Sequence, residues 1–160
     1  MTLAVKYKKV DALDIEVQKQ IRWMDAEVFP NDKPVFFYGS HWFIGYVGNE
    51  PACYAAWRPH VLMETVNELH HKEIYGFLYR AGVLKEYRGN RCQQALIKLR
   101  EDDMLADGIK VSITYTEVYS IESMRSMISS GYKPYWPTVA TNLSGFGRQD
   151  KFVHWRKDLK

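Results

Sequence analysis

The spacing of apolar residues predicts a strand near the start of the chain and a long helix after it. Leu3, Val5 and Tyr7 recur at every second position, which is the period of a half-buried strand. From residue 11 to residue 28 the apolar side chains recur at spacings of three and four, so we expect one helix with Asp11 as its N-cap. The predicted buried face of this helix comprises Leu13, Val17, Ile21, Met24 and Val28.

Three further segments, rich in aromatic and β-branched residues, predict strands in the middle of the chain. Residues 41–47 and 52–58 flank Gly48-Asn49-Glu50-Pro51, and such a turn sequence between two strands is typical of a hairpin. Residues 74–84, rich in Tyr, Phe, Leu and Val, form the third predicted strand of this region.

Glycines mark the ends of two more predicted helices. The second helix opens at Gly89-Asn90 and ends at Gly108, because glycine readily takes the left-handed conformation that follows a helix. A strand is predicted over residues 110–116, and Ser120 then caps a short third helix that ends at Gly131. We expect the buried faces of these helices to comprise Cys92, Ala95, Leu96, Leu99 and Ala106 in the second, and Ile121, Met124 and Ile128 in the third.

The resulting order of elements predicts an α/β protein with a mixed sheet covered by helices. The order is strand, helix, three strands, helix, strand, helix, and then one or two strands, the last at residues 152–155. No internal repeat or linker interrupts this order, so residues 1–160 are predicted to form a single domain.

Composition and charge exclude several classes of protein. Lys and Arg exceed Asp and Glu by 22 to 19, and a net charge of +3 gives no strong signal for nucleic-acid binding. The two cysteines form no Cys-x-x-Cys motif and the five histidines show no ligand spacing, so we expect no metal site and assign the histidines to the core or the surface. A membrane-spanning helix needs about 18 consecutive apolar residues, and every apolar run in this sequence is much shorter. The first ten residues lack the apolar core of a signal peptide. These observations favour a cytoplasmic protein without a membrane contact.

Residues 82–96 carry the most informative pattern. An apolar strand ends at Val83 and Leu84, and after a short turn a helix begins near Gly89 with unpaired amide groups directed towards the end of the strand. Such a helix start binds anions, and Arg88 and Arg91 add positive charge, so this turn is a candidate site for a phosphate or pyrophosphate. An ordinary strand-to-helix connection with solvated arginines explains the same residues equally well.

This stretch resembles the acyl-CoA motif of the GNAT superfamily, the Gcn5-related N-acetyltransferases. That motif commonly reads Val-x-Pro-Glu-Tyr-Arg-Gly-x-Gly-x-Gly or Ala. Arg91 and Gln93 stand where the motif has glycine or another small residue, and side chains there would widen or shift the pyrophosphate site, unless Arg91 itself contacts the phosphates. The matching positions are Val83, Glu86, Tyr87, Arg88 and Gly89, followed by Ala95 and Leu96.

A second stretch, residues 120–132, resembles another pattern of the same superfamily. Members often carry Asn-x-x-Ala or Ser-x-x-aromatic-Tyr-x-x-x-Gly-Phe. Ser123, Gly131 and Tyr132 keep this register, whereas Ser120 replaces the asparagine and Met127 replaces the tyrosine. The two matches occur in the order of elements that the family has, and together they span nearly the whole chain.

The resemblance implies a fold, an activity and a set of coenzyme contacts. The implied fold is a mostly antiparallel sheet, splayed in the middle, with helices on both faces. The implied enzyme transfers an acetyl or other acyl group from coenzyme A to an amine of a small molecule or a peptide, without a metal, and a homodimer is compatible with it. Backbone groups at the end of the strand would bind the pantetheine arm, and the turn would bind the pyrophosphate. The implied contacts are Val83, Leu84, Arg88, Gly89, Asn90, Arg91, Cys92, Gln93 and Ser123.

The transfer needs a base, because an alkyl amine with a pKa near ~10.4 is mostly protonated at neutral pH. Phe77 stands near the position at which some family members have a glutamate base, so this chain needs another group. Glu117, Tyr119 and Ser120 follow the predicted strand at residues 110–116 and are the candidate catalytic residues. For Glu117, a solvated loop carboxylate is an equally good interpretation.

Three departures from the family patterns leave a second function open. Arg91 and Gln93 alter the pyrophosphate loop, and Met127 removes a phenolic proton donor. A thiolate with a pKa near ~8.5 can leave without a dedicated acid, so the methionine does not by itself exclude turnover. The alternative is a GNAT-like protein that binds acyl-CoA and has lost catalysis.

Overall fold

The computed structural model describes residues 3–66, 69–145 and 150–160. Within these ranges the elements follow the predicted order, with two strands after the third helix, the first of them short. The strands are β1 (Lys6–Val10), β2 (His41–Val47), β3 (Glu50–Val66), β4 (Leu69–Val83), β5 (Val111–Glu117), β6 (Lys133–Pro134) and β7 (Phe152–Asp158). The helices are α1 (Ile15–Val28), α2 (Cys92–Ala106) and α3 (Ile121–Ser129).

The strands form one mixed sheet in the order β1-β2-β3-β4-β5-β7-β6. The pairs β1–β2, β2–β3, β5–β7 and β6–β7 are antiparallel, whereas β4 and β5 pair in parallel. This arrangement confirms the predicted α/β class with a mixed, mostly antiparallel sheet.

The parallel ladder between β4 and β5 is short. It comprises two residue pairs and ends at Phe77↔Ile113, after which Oγ1 of Thr114 donates to the carbonyl of Leu78 at 3.0 Å. On its other edge β5 pairs with β7 over its whole length, Val111–Glu117. The early end of the parallel ladder is compatible with the implied splay of the sheet between β4 and β5.

Two compact units share these elements, and each has its own hydrophobic core. The first unit comprises Met1–Arg58 and Tyr79–Arg100, and the second comprises Pro59–Leu78 and Glu101–Lys160. The single domain expected over residues 1–160 stays a prediction. Buried residues in the core of the first unit include Ile21, Met24, Trp42, Ile44, Tyr54 and Ala56. The core of the second unit combines Leu62, Tyr75, Val111 and Ile113 with the partly buried Tyr135, Ala140 and Leu143.

The first helix starts later than predicted. It begins at Ile15, and its N-cap is Asp14 rather than Asp11. Oδ1 of Asp14 accepts from the amide of Glu16 at 2.9 Å, whereas Asp11 closes the preceding turn through the amide of Leu13. The expected interior position of Leu13 is wrong, because the residue lies in that turn and is 71% exposed. β1 also starts later than the predicted pattern, which began at Leu3; the strand begins at Lys6.

The second helix buries charged residues that apolar periodicity does not predict. Arg100 and Glu101 are 3% and 4% exposed, whereas Ala106, expected on the buried face, is exposed. In the first unit, Nη1 of Arg100 donates to the carbonyl of Ala56 at 3.1 Å. In the second unit, Glu101 accepts from Nζ of Lys157 at 2.9 and 3.0 Å. These partners come from distant parts of the sequence, and they make the burial of both charges possible.

The glycine signals after α2 and α3 are confirmed, but the buried face of α3 is not the predicted one. Gly108 and Gly131 have φ angles of +78° and +85°, as expected for left-handed caps. Ile121 and Ile128 are 57% and 63% exposed, and Met127 is buried in their place. A helix of nine residues makes only about two and a half turns, so its apolar pattern does not define one face.

Candidate active site

The end of β4 fixes the direction of the backbone groups at Val83. The amide of Leu84 donates to the carbonyl of Ala52 on β3 at 3.0 Å, and the carbonyl of Leu84 accepts from the amide of Tyr87 at 2.9 Å. Successive residues of an extended chain direct their backbone groups to opposite edges, so the amide of Val83 points away from β3. Both backbone groups of Leu84 are thus engaged within the protein, and Val83 presents its amide on the other edge of β4.

The turn between β4 and α2 has a glycine-type backbone. Gly89 has a φ angle of +83°, and Arg91 has one of +58°. Among the described residues, Arg91 is the only one other than glycine with a positive φ. The arginine that replaces a glycine of the GNAT motif therefore adopts the left-handed conformation that glycine favours. The departure adds a side chain without removing this conformation.

Side chains of the turn stabilise its shape. Nε of Arg88 donates to the last carbonyl of β4 at 3.2 Å. Nδ2 of Asn90 donates to the carbonyl of Tyr87 at 2.9 Å, and Oδ1 of the same amide accepts from the amide of Leu3 at 3.0 Å. Asn90 is engaged at both ends of its side-chain amide and holds the turn. Arg88 and Arg91 are both exposed on this turn.

The first amides of α2 lie at a helix start that has no side-chain cap from its preceding residue. Arg91 precedes the helix, and its side chain carries no hydrogen-bond acceptor. The first bond of the helix runs from the amide of Ala95 to the carbonyl of Arg91 at 3.2 Å, so the amides of the first turn have no intrahelical acceptor. They lie at the positive end of the helix dipole, where an anion is stabilised. An oxyanion at this position would accept hydrogen bonds from these amides.

The two cysteines lie close together in the first unit. Cys53 and Cys92 are 0% and 3% exposed. Burial, followed by the nearby sulfur of Cys92, raises the pKa of the Cys53 thiol. Burial and a hydrogen bond with Cys92 likewise raise the pKa of Tyr7. A buried thiol in such surroundings is a poor nucleophile, so the geometry assigns the pair a packing role. Only the backbone of Cys92 is then suited to the predicted coenzyme contact.

The three predicted catalytic residues lie on one turn of the second unit. Glu117 ends β5 and is exposed, and Tyr119 is 85% exposed. The amide of Ser120 donates to the carbonyl of Glu117 at 3.0 Å and closes the turn. Ser120 is the N-cap of α3, as predicted, but its hydroxyl makes no capping hydrogen bond. Ser123, a predicted coenzyme contact, is exposed on the first turn of α3.

Met127 stands where the GNAT pattern has a tyrosine. Its side chain is 7% exposed, and its carbonyl accepts from the amide of Tyr132 at 3.0 Å. The hydroxyl of Tyr132 in turn donates to Oγ of Ser112 at 2.7 Å within the second unit. The inner face of α3 therefore presents an apolar side chain, and not a phenol, at this position.

One histidine, His154, is buried and has a shifted pKa, which no sequence pattern predicts. His154 on β7 is 3% exposed, and burial lowers its pKa below the ordinary value. Its Nε2 lies 3.1 Å from Oγ of Ser144, and its ring centroid lies 6.0 Å from that of Tyr115 on β5. The predicted strand over residues 152–155 includes the histidine, but its contact with Ser144 depends on the path of the preceding loop and has no sequence pattern.

Within the described ranges, no group of three or more His, Cys, Asp or Glu side chains is placed to bind a metal ion. None of the helices in those ranges is long and apolar enough to cross a membrane.

Solved structures match the fold over nearly the whole chain. A protein from Desulfovibrio desulfuricans assigned to the GNAT family of acetyltransferases superposes with a TM-score of 0.73 at 14% identity, covering 98% of this chain and 100% of that one. Naa50 of Arabidopsis thaliana, in complex with a bisubstrate analogue of CoA, gives 0.68 at 13%, covering 98% and 100%. A chain of the NatC complex bound to Gag peptide and CoA gives 0.68 at 15%, covering 99% and 100%. The chain therefore has the GNAT acetyltransferase fold. No family model and no curated protein matches the sequence itself.

Proposed function

We propose that the protein is an acyl-CoA-dependent N-acyltransferase that transfers an acetyl or other acyl group to an amine of a small molecule or a peptide. The observation that carries this proposal is the β4–α2 turn. There the outward amide of Val83 is followed by two exposed arginines and by a helix start whose preceding residue, Arg91, has no side-chain acceptor. The fold alone does not specify an activity, but these groups have the chemistry that a diphosphate thioester needs.

Each group of the turn has a role in this proposal. The amides of the first turn of α2, from Cys92 and Gln93 onwards, would bind the pyrophosphate together with Arg88 and Arg91. The amide of Val83 would donate to the thioester arm, and Leu84 would contact that arm through its side chain only, since its backbone groups are engaged. Gly89 and Asn90 would shape the turn. Coenzyme A supplies the activated acyl group when it is bound.

In the second unit, the turn that ends β5 would supply the groups near the acceptor. Glu117 is exposed, and the hydroxyl of Ser120 is not used as a cap, so both can meet a ligand. Tyr119 presents a phenol beside them, and Ser123 lies one helical turn further on. We expect catalysis to depend mainly on positioning and on the backbone donor, with no single indispensable acid.

A specific observation favours the second candidate function, an acyl-CoA-binding protein without turnover. Met127 is buried at the position of the family's tyrosine, so the usual proton donor is missing. The side chains of Arg91 and Gln93 also stand at positions where the motif has small residues. In this candidate, the turn still binds the coenzyme and no acyl group is transferred.

Binding of acetyl-CoA tests both candidates at once. We expect acetyl-CoA to raise the melting temperature of the parent, because a ligand that binds only the folded state stabilises it. Arg88→Ala should weaken the affinity measured by calorimetry by roughly tenfold, the effect of one charged hydrogen bond. Arg125→Ala removes an exposed arginine from α3 and is the matched control. A parent that shows neither heat nor stabilisation with acetyl-CoA contradicts both functions.

Thiol release from acetyl-CoA across a panel of amines separates the two candidates. Release that depends on an amine supports the transferase, and binding without release from any amine supports the binding protein. Glu117→Gln, Tyr119→Phe and Ser120→Ala then test the turn. Partial losses fit a mechanism based on positioning, whereas abolition of turnover by one change, with unaltered acetyl-CoA affinity, identifies an essential group.

A cytoplasmic location and a homodimer complete the proposal. Light scattering of the purified protein measures the mass of the assembly, and cell fractionation measures the location. A monomeric mass at working concentration or recovery in a membrane fraction overturns the corresponding expectation and leaves the proposed activity untouched.

A further inference from the structure

Residues 29–40, the α1–β2 segment, connect α1 to β2 in the first unit, and part of this segment alternates between buried and exposed side chains. Val35 and Phe37 are 6% and 7% exposed and belong to the core of the first unit. Phe36 and Tyr38, which alternate with them, are 69% and 91% exposed. An extended chain with one side on a core has this alternation. The segment is therefore held by its inner side chains and presents two aromatic rings to solvent.

Two successive residues of β4 also fasten the α1–β2 segment. The hydroxyl of Tyr79 accepts from the amide of Phe36 at 3.1 Å. Nη1 of Arg80 donates to Oδ2 of Asp32 at 3.1 Å, and the guanidinium of Arg80 lies 4.3 Å from the ring centroid of Phe29. These contacts reach both the start and the middle of the segment. Its position is thus set by β4, the strand that leads to the proposed coenzyme site.

The fastened segment lies near the acyl end of the thioester arm in the proposed function. In that proposal the pyrophosphate binds at the start of α2, and the amide of Val83 donates to the arm. The acyl group is at the other end of the arm, so it extends from Val83 towards earlier residues of β4. Tyr79 precedes Val83 by four residues, which is roughly 13 Å along a strand. The Phe36 backbone, bonded to Tyr79, is therefore within reach of an acceptor that meets the acyl carbon.

The chemistry of the α1–β2 segment favours an apolar ligand group. Single exposed apolar residues are common on protein surfaces, but Phe36 and Tyr38 are two such residues on one fastened segment beside the proposed site. Aromatic side chains have only two rotatable bonds, so they lose little conformational entropy when a ligand covers them. Asp32 and Lys33 are the charged residues of the segment, and their charges cancel. A charged group of a ligand therefore gains no net attraction from this segment.

We propose that Phe36 and Tyr38 bind the group next to the reacting amine, and that the acceptor is an amine whose neighbouring group is apolar and uncharged. This inference rests on the proposed N-acyltransferase function and names its substrate class. Tyr79 is a positioning residue, since it acts on the acceptor through the amide of Phe36. An apolar alkylamine and a peptide with an apolar first residue share this chemistry, so the experiment compares both sources.

Transfer to matched acceptors tests the substrate class. With saturating acetyl-CoA, kcat/KM is measured for hexylamine against hexamethylenediamine, and for a peptide that begins with leucine against the same peptide beginning with lysine or aspartate. We expect the apolar member of each pair to be favoured by roughly tenfold or more, the effect of burying one aliphatic side chain. A higher value for hexylamine than for the leucine peptide identifies a small-molecule acceptor, and the reverse order identifies a peptide acceptor.

Variants of the two rings test the residues. Phe36→Ser and Tyr38→Ser should each raise KM for the preferred apolar acceptor by roughly fivefold to tenfold, because apolar contact area is lost. The KM for acetyl-CoA, kcat and the melting temperature should stay close to those of the parent. Phe36→Leu keeps an apolar side chain and should retain a low KM for the acceptor. Trp23→Ser is the matched control, since Trp23 is an aromatic residue of α1 in the same unit and is 51% exposed.

The positioning role of Tyr79 is tested by its own variant. Tyr79→Phe keeps the ring and removes the oxygen that accepts from the amide of Phe36. We expect the preference for the apolar acceptor over its charged counterpart to fall by roughly threefold or more, the effect of one lost hydrogen bond, with acetyl-CoA affinity unchanged. A lower melting temperature with an unchanged preference would overturn the positioning role.

The results that overturn the inference differ from those that overturn the proposed function. Equal or higher kcat/KM for the charged acceptors, or equal effects of Phe36→Ser and Trp23→Ser, reject the assigned substrate class and leave the transferase standing. A parent that binds acetyl-CoA and releases thiol with none of the amines rejects both the transfer and the acceptor selection, and leaves the coenzyme site standing. A parent that binds no acetyl-CoA removes the coenzyme site as well.

Discussion

Arg80 forms two parallel hydrogen bonds with Asp25 in the first unit: Nε donates to Oδ1 at 2.8 Å and Nη2 donates to Oδ2 at 3.0 Å. Asp25 is 6% exposed on α1, and it also accepts from the hydroxyl of Tyr54 at 2.5 Å. Burial lowers the pKa of Arg80, but the bonds to Asp25 outweigh this effect and leave it raised. Burial, with the bond to Asp25, raises the pKa of Tyr54. The group therefore remains an ion pair with a neutral phenol near neutral pH.

Removal of one partner from this pair should be costly. Asp25→Ala leaves the Arg80 guanidinium without its main partner, so we expect the free energy of unfolding to fall by about 3–5 kcal/mol. Lys19→Ala breaks the pair of Lys19 and Glu16, whose side chains are 66% and 74% exposed, and should change stability by less than about 0.5 kcal/mol. Urea titration measures both. Similar small effects from the two changes would contradict the assigned role of Asp25.

Two glycines on β4 should respond differently to alanine. A Cβ at Gly82 would lie 2.6 Å from the ring and hydroxyl of Tyr54, which Asp25 holds in place. A Cβ at Gly76 would meet Met104, whose side chain has more freedom to move. We expect Gly82→Ala to lower the free energy of unfolding by about 1–3 kcal/mol and Gly76→Ala to cost less. Thermal unfolding of the two variants gives the comparison, and the reverse order would show that Tyr54 yields more easily than Met104.

The order of elements is predictable from this sequence because it depends on local chemistry. Periodicities of two and of three to four residues identify strands and helices, and Gly108 and Gly131 end their helices in the predicted left-handed conformation. The ends of elements depend on single hydrogen bonds. Two aspartates precede α1, and only the structure shows that the carboxylate of Asp14, rather than that of Asp11, accepts from an amide of the first turn.

Buried polar groups are the part of the molecule that the pattern does not reveal. Asp25 and Arg100 look like surface positions of amphipathic helices, yet each is buried against a partner more than 40 positions away in the sequence. In the candidate site, the residue types of the β4–α2 turn are readable, but the left-handed backbone of Arg91 is not. The contact of His154 with Ser144 depends on the path of a loop without a recognisable pattern.

The backbone of Arg91 predicts the effect of glycine at two positions of the turn. A left-handed conformation costs a residue with a Cβ about 1–2 kcal/mol, and glycine avoids this cost. Arg91→Gly should therefore leave stability equal or slightly higher, even though glycine adds freedom to the unfolded chain. Arg88, with φ of −65°, is the matched control, and Arg88→Gly should lower the free energy of unfolding by about 0.5–1 kcal/mol. Equal losses at both positions in urea titrations would contradict the assigned conformation.

The buried histidine also predicts a pH dependence of stability. The pKa of His154 is lowered in the folded state from 6.5. Below that value the unfolded chain binds a proton at this residue that the folded chain does not, so stability falls as pH falls from neutrality towards the folded pKa. In His154→Phe this contribution is absent. We expect the stability of the parent relative to the variant to decline as the pH of urea titrations is lowered from 7 to about 5, and parallel pH curves would contradict it.

The strand order has a consequence for how the nascent protein matures. β7 follows β5 and β6 in the chain, yet it lies between them in the sheet. Until Phe152–Asp158 has been synthesised, β5 and β6 each have an unpaired edge on the side that β7 will occupy. Unpaired strand edges pair with strands of other molecules. A chain truncated before this segment should therefore aggregate or be degraded in the cell.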